Sequence, residues 1–283
     1  MCATCGCSGD GKAKVSLVGH KHDHDHLDDH DHQHDHSHDH EHDHAHAHHH
    51  EGESVLTLER RILAKNDALA ERNRAWVDGR EILMLNLVSA PGSGKTTLLE
   101  RTITHFRDRH AIHVIEGDQA TENDAMRIRA AGAPVVQVNT GTGCHLEAQM
   151  VAEGLLRLRP ERGALVLVEN VGNLVCPALF DLGESAKVVI LSVTEGEDKP
   201  LKYPHMFRAA ALMILNKIDL LPHVEFDVAR CIAHAREVNP EIEVLQLSAR
   251  TGEGMEAWYR WLELSLAGCA DAALPLQAAE DPA

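Results

Sequence analysis

The apolar run Ile82–Val88 leads directly into Ser89-Ala90-Pro91-Gly92-Ser93-Gly94-Lys95-Thr96-Thr97, and a helical pattern follows over Thr96–Arg107. Few local sequences constrain a fold as tightly. A buried strand that turns through glycines into Lys-Thr and a helix aims several backbone N–H groups at one point, where they can surround a phosphate. The pattern matches GxxxxGK(S/T), except that Ser89 stands where the first glycine is usual. Gly92 and Gly94 let the backbone close around phosphate oxygens. Lys95 reaches the β- and γ-phosphates, and the Thr96 hydroxyl is placed for Mg²⁺. The run Gly92, Ser93, Gly94, Lys95, Thr96 and Thr97 is therefore the expected phosphate-binding set.

The rest of the chain alternates in a way that suits this start. Apolar runs recur at Ile112–Ile115, Val135–Val138, Leu165–Val168, Val188–Val193, Leu212–Leu215 and Val244–Leu247. Helical patterns fall between or after them at Asp124–Ala131, Glu147–Leu158, Val228–Val238 and Met255–Leu266. Strands that are apolar on both faces and separated by helices predict an α/β fold, a mostly parallel P-loop NTPase sheet with helices on both faces. A further helix is predicted from about Ser54 to Gly79, with Val55, Leu58, Ile62, Leu63, Leu69 and Trp76 sharing a face. Aromatic residues make up only 3% of the chain, so the core must come from Val, Leu, Ile and Ala.

Upstream the composition changes abruptly. Residues 20–50 are almost entirely His alternating with Asp, Glu or Ala, with sixteen histidines between His20 and His50. Such a tract has too little apolar surface to offset chain entropy, and it is expected to be disordered without a ligand. The net charge of −17 argues against nucleic acid or an anionic membrane as partner. No apolar run approaches the roughly 20 residues that span a bilayer. The start of the chain lacks the layout of a secretory signal, so a cytoplasmic location is expected.

Base identity is carried further along. The strand Leu212–Leu215 ends in Asn216-Lys217-Ile218-Asp219. A carboxylate at Asp219 accepts from guanine N1–H and its 2-amino group, a pair that adenine does not offer. Lys217 can lie along the base plane, and Asn216 can tie this loop to the phosphate loop. The next strand ends in Ser248-Ala249-Arg250, where a backbone N–H can meet guanine O6. Between these ends, Glu169-Asn170-Val171-Gly172 leaves a strand tip, and Glu169 is placed to hold Mg²⁺ directly or through water. Asp118 ends the strand beginning at Ile112. Two roles stay open for it, orienting the attacking water or contacting the Mg²⁺ shell; a helix N-cap is the plain alternative. Lys95, Asp118 and Glu169 are the candidate catalytic residues for GTP hydrolysis.

Two cysteine groups point to transition metals. Cys144-His145 follows Gly141-Thr142-Gly143, and Cys176 closes the segment that starts at Glu169. Both leave strands at the sheet edge expected to carry the nucleotide. Thiolate and imidazole ligands suit Zn²⁺ and Ni²⁺, and three ligands per chain leave room for a site shared across a two-fold axis. Cys2, Cys5 and Cys7 crowd the N-terminus with a spacing that can wrap one ion, Ni²⁺ in a square-planar arrangement, or Zn²⁺ or Cu. The histidine tract is a weaker site or reservoir. Cys231 and Cys269 carry no assignment.

These residues together resemble the hydrogenase nickel-incorporation GTPases, the HypB family of SIMIBI-class P-loop GTPases. The matching features are the N-terminal CxxCGC, the His tract, SAPGSGKT, Glu169-Asn170-Val171-Gly172-Asn173, Cys144-His145, Cys176, Asp198-Lys199-Pro200-Leu201-Lys202-Tyr203-Pro204 and NKID. The resemblance implies a GTP-dependent homodimer that passes Ni²⁺ toward the large-subunit precursor of a [NiFe]-hydrogenase, with the zinc-binding nickel metallochaperone HypA as partner. It implies a tight nickel site at Cys2, Cys5 and Cys7, and a second metal site at Cys144, His145 and Cys176 in the dimer interface. The expected organisation is a Cys-rich segment (1–19), a disordered His-rich tract (20–53), a GTPase domain with an N-terminal helix (54–270) and a flexible tail (271–283). A nickel or zinc store with a regulatory GTPase, and a urease-type nickel-insertion GTPase, are the rival readings. The CxxCGC start weighs against the second.

Overall fold

The structure, a computed structural model, describes residues 14–17, 55–118, 123–141 and 143–277. The N-terminal cysteines, the histidine tract and Thr142 lie outside the described residues. Among the described residues eight strands form one sheet: β1 (Lys14–Leu17), β2 (Leu83–Ser89), β3 (Ile112–Asp118), β4 (Val135–Asn139), β5 (Leu165–Glu169), β6 (Ala186–Ser192), β7 (Leu212–Asn216) and β8 (Glu243–Gln246). Their spatial order is β1-β4-β3-β5-β2-β6-β7-β8. Every neighbouring pair is parallel except β1 with β4. The helices are α1 (Val55–Asp78), α2 (Lys95–Phe106), α3 (Asn123–Ala131), α4 (Ala148–Leu158), α5 (Lys199–Lys202), α6 (Pro204–Ala209), α7 (Val228–Val238) and α8 (Met255–Gln277).

Alternation along β2 decides what covers each face. Leu83, Leu85 and Leu87 pack with Leu98, Ile103 and Phe106 of α2, Ile128 of α3, and Trp258 and Leu262 of α8. Met84 faces the other way, toward Val77 of α1 and Val151 and Leu155 of α4. Val88 joins Met206 and Phe207 of α6 and Cys231 and Ala235 of α7. Each large side chain buried in this manner contributes roughly 1.5–3 kcal/mol, so both faces must be covered. Asn86 lies on the second face with Met84 and Val88, fully buried on a central strand. An unpaired amide there would cost on the order of 1–3 kcal/mol, and Asn86 is paired on both sides, with Glu184 and Asn170.

Four features differ from the sequence reading. Residues 14–17 add an antiparallel edge strand to β4, with Val15 against the apolar cluster under α4. Four residues are too few for alternation to announce them. The α1 stripe that is buried runs Asn66, Ala70, Asn73, Val77, while Ile62, Leu63, Leu69 and Trp76 flank it partly exposed. The two asparagines serve as anchors. Asn73 Nδ2 donates to the carbonyls of Ala148 (2.8 Å) and Leu182 (2.9 Å), and Asn66 Oδ1 accepts from Ala148 N (2.9 Å). Short helices α5 and α6 each carry a proline in the first turn, Pro200 at the second position of α5 and Pro204 at the first of α6, which fixes φ there. Finally, α8 continues past Leu266 to Gln277 through alanines that favour helix. No described helix is long and apolar enough to cross a membrane.

Candidate functional site

The C-terminal tips of β2, β3 and β5 surround a cavity of about 510 Å³, whose walls include Gly92–Thr97, Glu116, Asp118, Glu169 and Cys144. Gly94 caps α2 with φ at 98°, and a Cβ there would come within 2.5 Å of Asn216 Nδ2. Only glycine fits. Lys95 Nζ donates to Ser89 Oγ at 2.9 Å, so the serine replacing the usual glycine holds the lysine in place. Ser93 is buried, and Thr97 Oγ1 accepts from Arg127 at 3.3 Å.

Thr96 Oγ1 donates to Glu169 Oε1 at 2.8 Å, joining the two residues expected at Mg²⁺. The second oxygen of Glu169 is buried without a hydrogen-bond partner among the described residues, as is one oxygen of Glu116. Burial pushes the Glu169 carboxyl up to about 7, against the pull of Lys95 and the Thr96 hydrogen bond. Burial, then the charges of Glu169 and Asp118, push Glu116 up to about 9. Burial lowers Lys95 from its ordinary value. Crowded carboxylates around one buried ammonium, with a hydroxyl beside them, are a donor set that fits a hard divalent cation. Asp118 lines the same cavity, and its carbonyl accepts from Thr140 N at 3.0 Å. The residues that would be capped by its side chain lie outside the described ones.

The residues expected at the base lie beside the phosphate loop. Asn216 Nδ2 donates to the Ser93 carbonyl at 2.8 Å, and Lys217 Nζ to the Gly92 carbonyl at 2.6 Å. Lys217 adopts φ 63°, a left-handed turn that swings its stem back over the phosphate loop. Asp219 Oδ1 is buried with no partner among the described residues, which fits the donor edge of guanine. Ser248 is fully buried, its hydroxyl accepting from Thr251 N at 3.1 Å. The Ala249 N–H donates to Asn216 Oδ1 at 3.0 Å. An O6 contact through that amide, as expected from sequence, would have to be shared with Asn216.

Cys144, His145 and Cys176 come together although the last is 32 residues from the first in sequence. Their ligand atoms all lie within 4.8 Å of one another, with Cys144 Sγ 3.0 Å from Cys176 Sγ and 3.7 Å from His145 Nδ1. Burial holds the His145 imidazolium down to about 4, so the ring is neutral at neutral pH, as a metal ligand must be. Phe180 lies against that ring with centroids 4.0 Å apart. Soft thiolates with a neutral imidazole fit Zn²⁺ or Ni²⁺. Cys144 also lines the nucleotide cavity, and Asn173 Nδ2, four residues past Glu169, donates to the Cys144 carbonyl at 3.2 Å.

Sequence reasoning missed three residues of this cavity. Glu116 directly follows the run Ile112-His113-Val114-Ile115 within β3 and is buried, and nothing in that run assigns it to the cavity. Asp124 and Arg127 line the rim, paired at 3.1 Å, with Arg127 also 2.7 Å from Glu100.

Residues 83–246 match the family model for the CobW/HypB/UreG nucleotide-binding domain. The Escherichia coli K12 hydrogenase maturation factor HypB is 63% identical over 209 residues, covering 74% of this chain and 72% of the relative. Among solved structures, HypB from Archaeoglobus fulgidus aligns with a TM-score of 0.67 at 39% identity, covering 72% of this chain and 99% of that one. HypB from Helicobacter pylori, crystallised in complex with nickel, aligns with a TM-score of 0.69 at 36% identity, covering 72% and 96%. With the phosphate loop, the parallel sheet and these matches in agreement, the chain belongs to the HypB family of hydrogenase maturation factors, within the CobW/HypB/UreG nucleotide-binding group.

Proposed function

We propose that this chain binds and hydrolyses GTP with Mg²⁺, and that it uses the nucleotide cycle to deliver Ni²⁺ to the large-subunit precursor of a [NiFe]-hydrogenase. One observation supports this reading above the others: Cys144, one of three clustered metal-ligand candidates, is also a wall of the phosphate cavity. In this reading Lys95 and the loop amides hold the phosphates, Thr96 and Glu169 hold Mg²⁺, and Asp118 orients water at the γ-phosphate or within the Mg²⁺ shell. Asn216, Lys217 and Asp219, with the Ser248–Ala249 loop, select guanine. Cys144, His145 and Cys176 hold Ni²⁺ or Zn²⁺. Three ligands are one short of a four-coordinate site, which favours completion by a second copy in a GTP-dependent homodimer.

Cys2, Cys5 and Cys7 are assigned a separate nickel site, and the histidine tract a store that refills it. HypA, the metallochaperone implied by the family, is the partner proposed to exchange metal. The test is equilibrium Ni²⁺ and Zn²⁺ binding to the full chain loaded with GDP or with a non-hydrolysable GTP analogue, and to a Cys2/Cys5/Cys7 variant. Nucleotide-dependent affinity retained in that variant is expected. Identical affinities in both nucleotide states would remove the switch.

A further inference from the structure

We infer that Asn86, Asn170, Glu184 and Lys187 form a buried relay that positions the Cys144, His145 and Cys176 ligands and ties them to the strand feeding the phosphate loop. The inference rests on reading that cluster as a metal site. None of the four is more than 8% exposed. Asn170 Nδ2 donates to Asn86 Oδ1 at 3.2 Å, and Asn86 Nδ2 donates to Glu184 Oε1 at 3.0 Å. The Lys187 ammonium stands 3.5 Å from the same Glu184 oxygen. Glu184 Oε2 accepts from Leu182 N at 2.7 Å, so both carboxylate oxygens are engaged.

The ends of this chain of contacts give it a role. Asn170 Oδ1 accepts from Leu146 N at 3.2 Å, one residue after His145. Lys187 Nζ donates to the Pro177 carbonyl at 2.9 Å, one residue after Cys176, and to the Phe180 carbonyl at 3.4 Å. The Phe180 ring is the one packed on His145. The middle is anchored on β2 three residues before Ser89, and Asn170 directly follows Glu169. Stability alone does not account for this construction. A buried ion pair adds little net stability over apolar residues of like volume, and four apolar side chains could fill the same space among Met84, Val88 and Leu182. They could not donate to two carbonyls or accept from a backbone amide. Metal–ligand distances in well-formed sites fall within about 0.2 Å of their ideal values, and hydrogen bonds that hold the ligand-bearing backbone serve that geometry.

The test uses the full chain with Cys2, Cys5 and Cys7 changed to serine, Ni²⁺ as the probe, and thiolate-to-nickel charge-transfer absorption titrated against a chelator. The histidine tract has no sulfur and leaves that band dark. Lys187→Met is expected to weaken Ni²⁺ binding by about 10- to 100-fold, the usual cost of losing an outer hydrogen-bond partner. GDP affinity should stay at the parent value. Because that variant strands the Glu184 charge, Glu184→Gln/Lys187→Met is measured beside it. Removing the imbalance should raise the melting temperature toward the parent's, while nickel affinity stays low and the band stays altered, since Pro177 and Phe180 remain without a donor. Parent-level affinity and an unchanged band in the folded double variant would overturn the relay. A band that persists when Cys144 and Cys176 are both changed to serine would remove the metal-site reading, and the relay with it.

Discussion

Replacing Gly172 by alanine tests whether the loop after β5 communicates with the phosphate loop. A Cβ at this position would lie 3.0 Å from Pro91 Cγ and 3.2 Å from Pro91 Cα and N. Two of those three atoms are backbone and cannot rotate aside. Gly172 is not among the glycines with positive φ, so the alanine adds no dihedral strain and its whole cost is contact. Carbon pairs rest at about 3.5–4.0 Å, which means the two loops must part by several tenths of an ångström. Overpacking of this kind costs roughly 1–3 kcal/mol, or about 5- to 150-fold in an equilibrium constant at roughly 1.4 kcal/mol per decade. The Asn173 bond to the Cys144 carbonyl, at 3.2 Å, is at the long end of the ordinary range, so a loop displacement that carries Asn173 away from Cys144 breaks it. Where the phosphate loop must close toward Gly172 around a bound triphosphate, that cost falls on binding, so Gly172→Ala should weaken GTP binding about fivefold or more and shrink the difference in metal affinity between GDP and a GTP analogue. Fluorescent-nucleotide titration and chelator competition measure the two effects. Adding Pro91→Ala removes the nearest atom but leaves the backbone contacts, so recovery should be partial. Parent-level nucleotide affinity together with undiminished nucleotide dependence of metal binding in Gly172→Ala would refute the reasoning.

Asp219→Asn should lower GTP affinity about 100-fold or more, since two hydrogen bonds to a charged acceptor, each worth roughly 1.5–3 kcal/mol, are lost or reversed. The same variant should accept xanthosine triphosphate, and an unchanged base preference in a competition assay would count against guanine recognition here. Thr96→Ala removes the hydroxyl bonded to Glu169 at 2.8 Å, and Mg²⁺ should then no longer strengthen GTP binding. Titrations with and without a Mg²⁺ chelator decide that point. Deleting residues 20–50 should reduce the number of Ni²⁺ ions bound per chain while leaving the Cys144 and Cys176 thiolate band intact. Full hydrogenase maturation at limiting nickel without the tract would rule out an essential store.

Much of the fold could be read in advance because its signals are local. Ile82–Thr97 carries strand, turn and helix chemistry in one continuous stretch, and the parallel strands are apolar on both faces. Legibility ended where function depends on distant pairs. Asn66 and Asn73 look like interruptions of an amphipathic helix until the carbonyls of Ala148, Asp181 and Leu182 are seen opposite them. Glu116 is hidden within an apolar strand, and no local pattern assigns it to the cavity. Asn86, Glu184 and Lys187 carry no motif, and their meaning appears only when β2 and β6 lie side by side. Cys144 and Cys176 could be placed on one sheet edge by topology, because both follow parallel strands, but their 3.0 Å separation required the loops themselves.

The positions of those two cysteines also indicate where a nucleotide signal would enter the proposed metal site. By sequence distance Cys176 is the nearer of the two to Glu169, seven residues along the same segment. In the folded chain Cys176 is the better-anchored partner, 2% exposed, with its turn held to β6 through Lys187 and the Pro177 carbonyl. Cys144 is only partly buried, follows Gly141 in a left-handed conformation, borders the phosphate cavity, and has its carbonyl held by Asn173. A shift of the Glu169 loop would therefore act on Cys144 first, by stretching one neutral hydrogen bond. Such a bond is worth roughly 0.5–1.5 kcal/mol net, which corresponds to about a 2- to 13-fold change in affinity at roughly 1.4 kcal/mol per decade. A nucleotide-linked change in metal affinity within that range is accounted for by Cys144 alone. A change of several hundredfold would require Cys176 to move as well, and with it the Lys187 contact that fixes its turn.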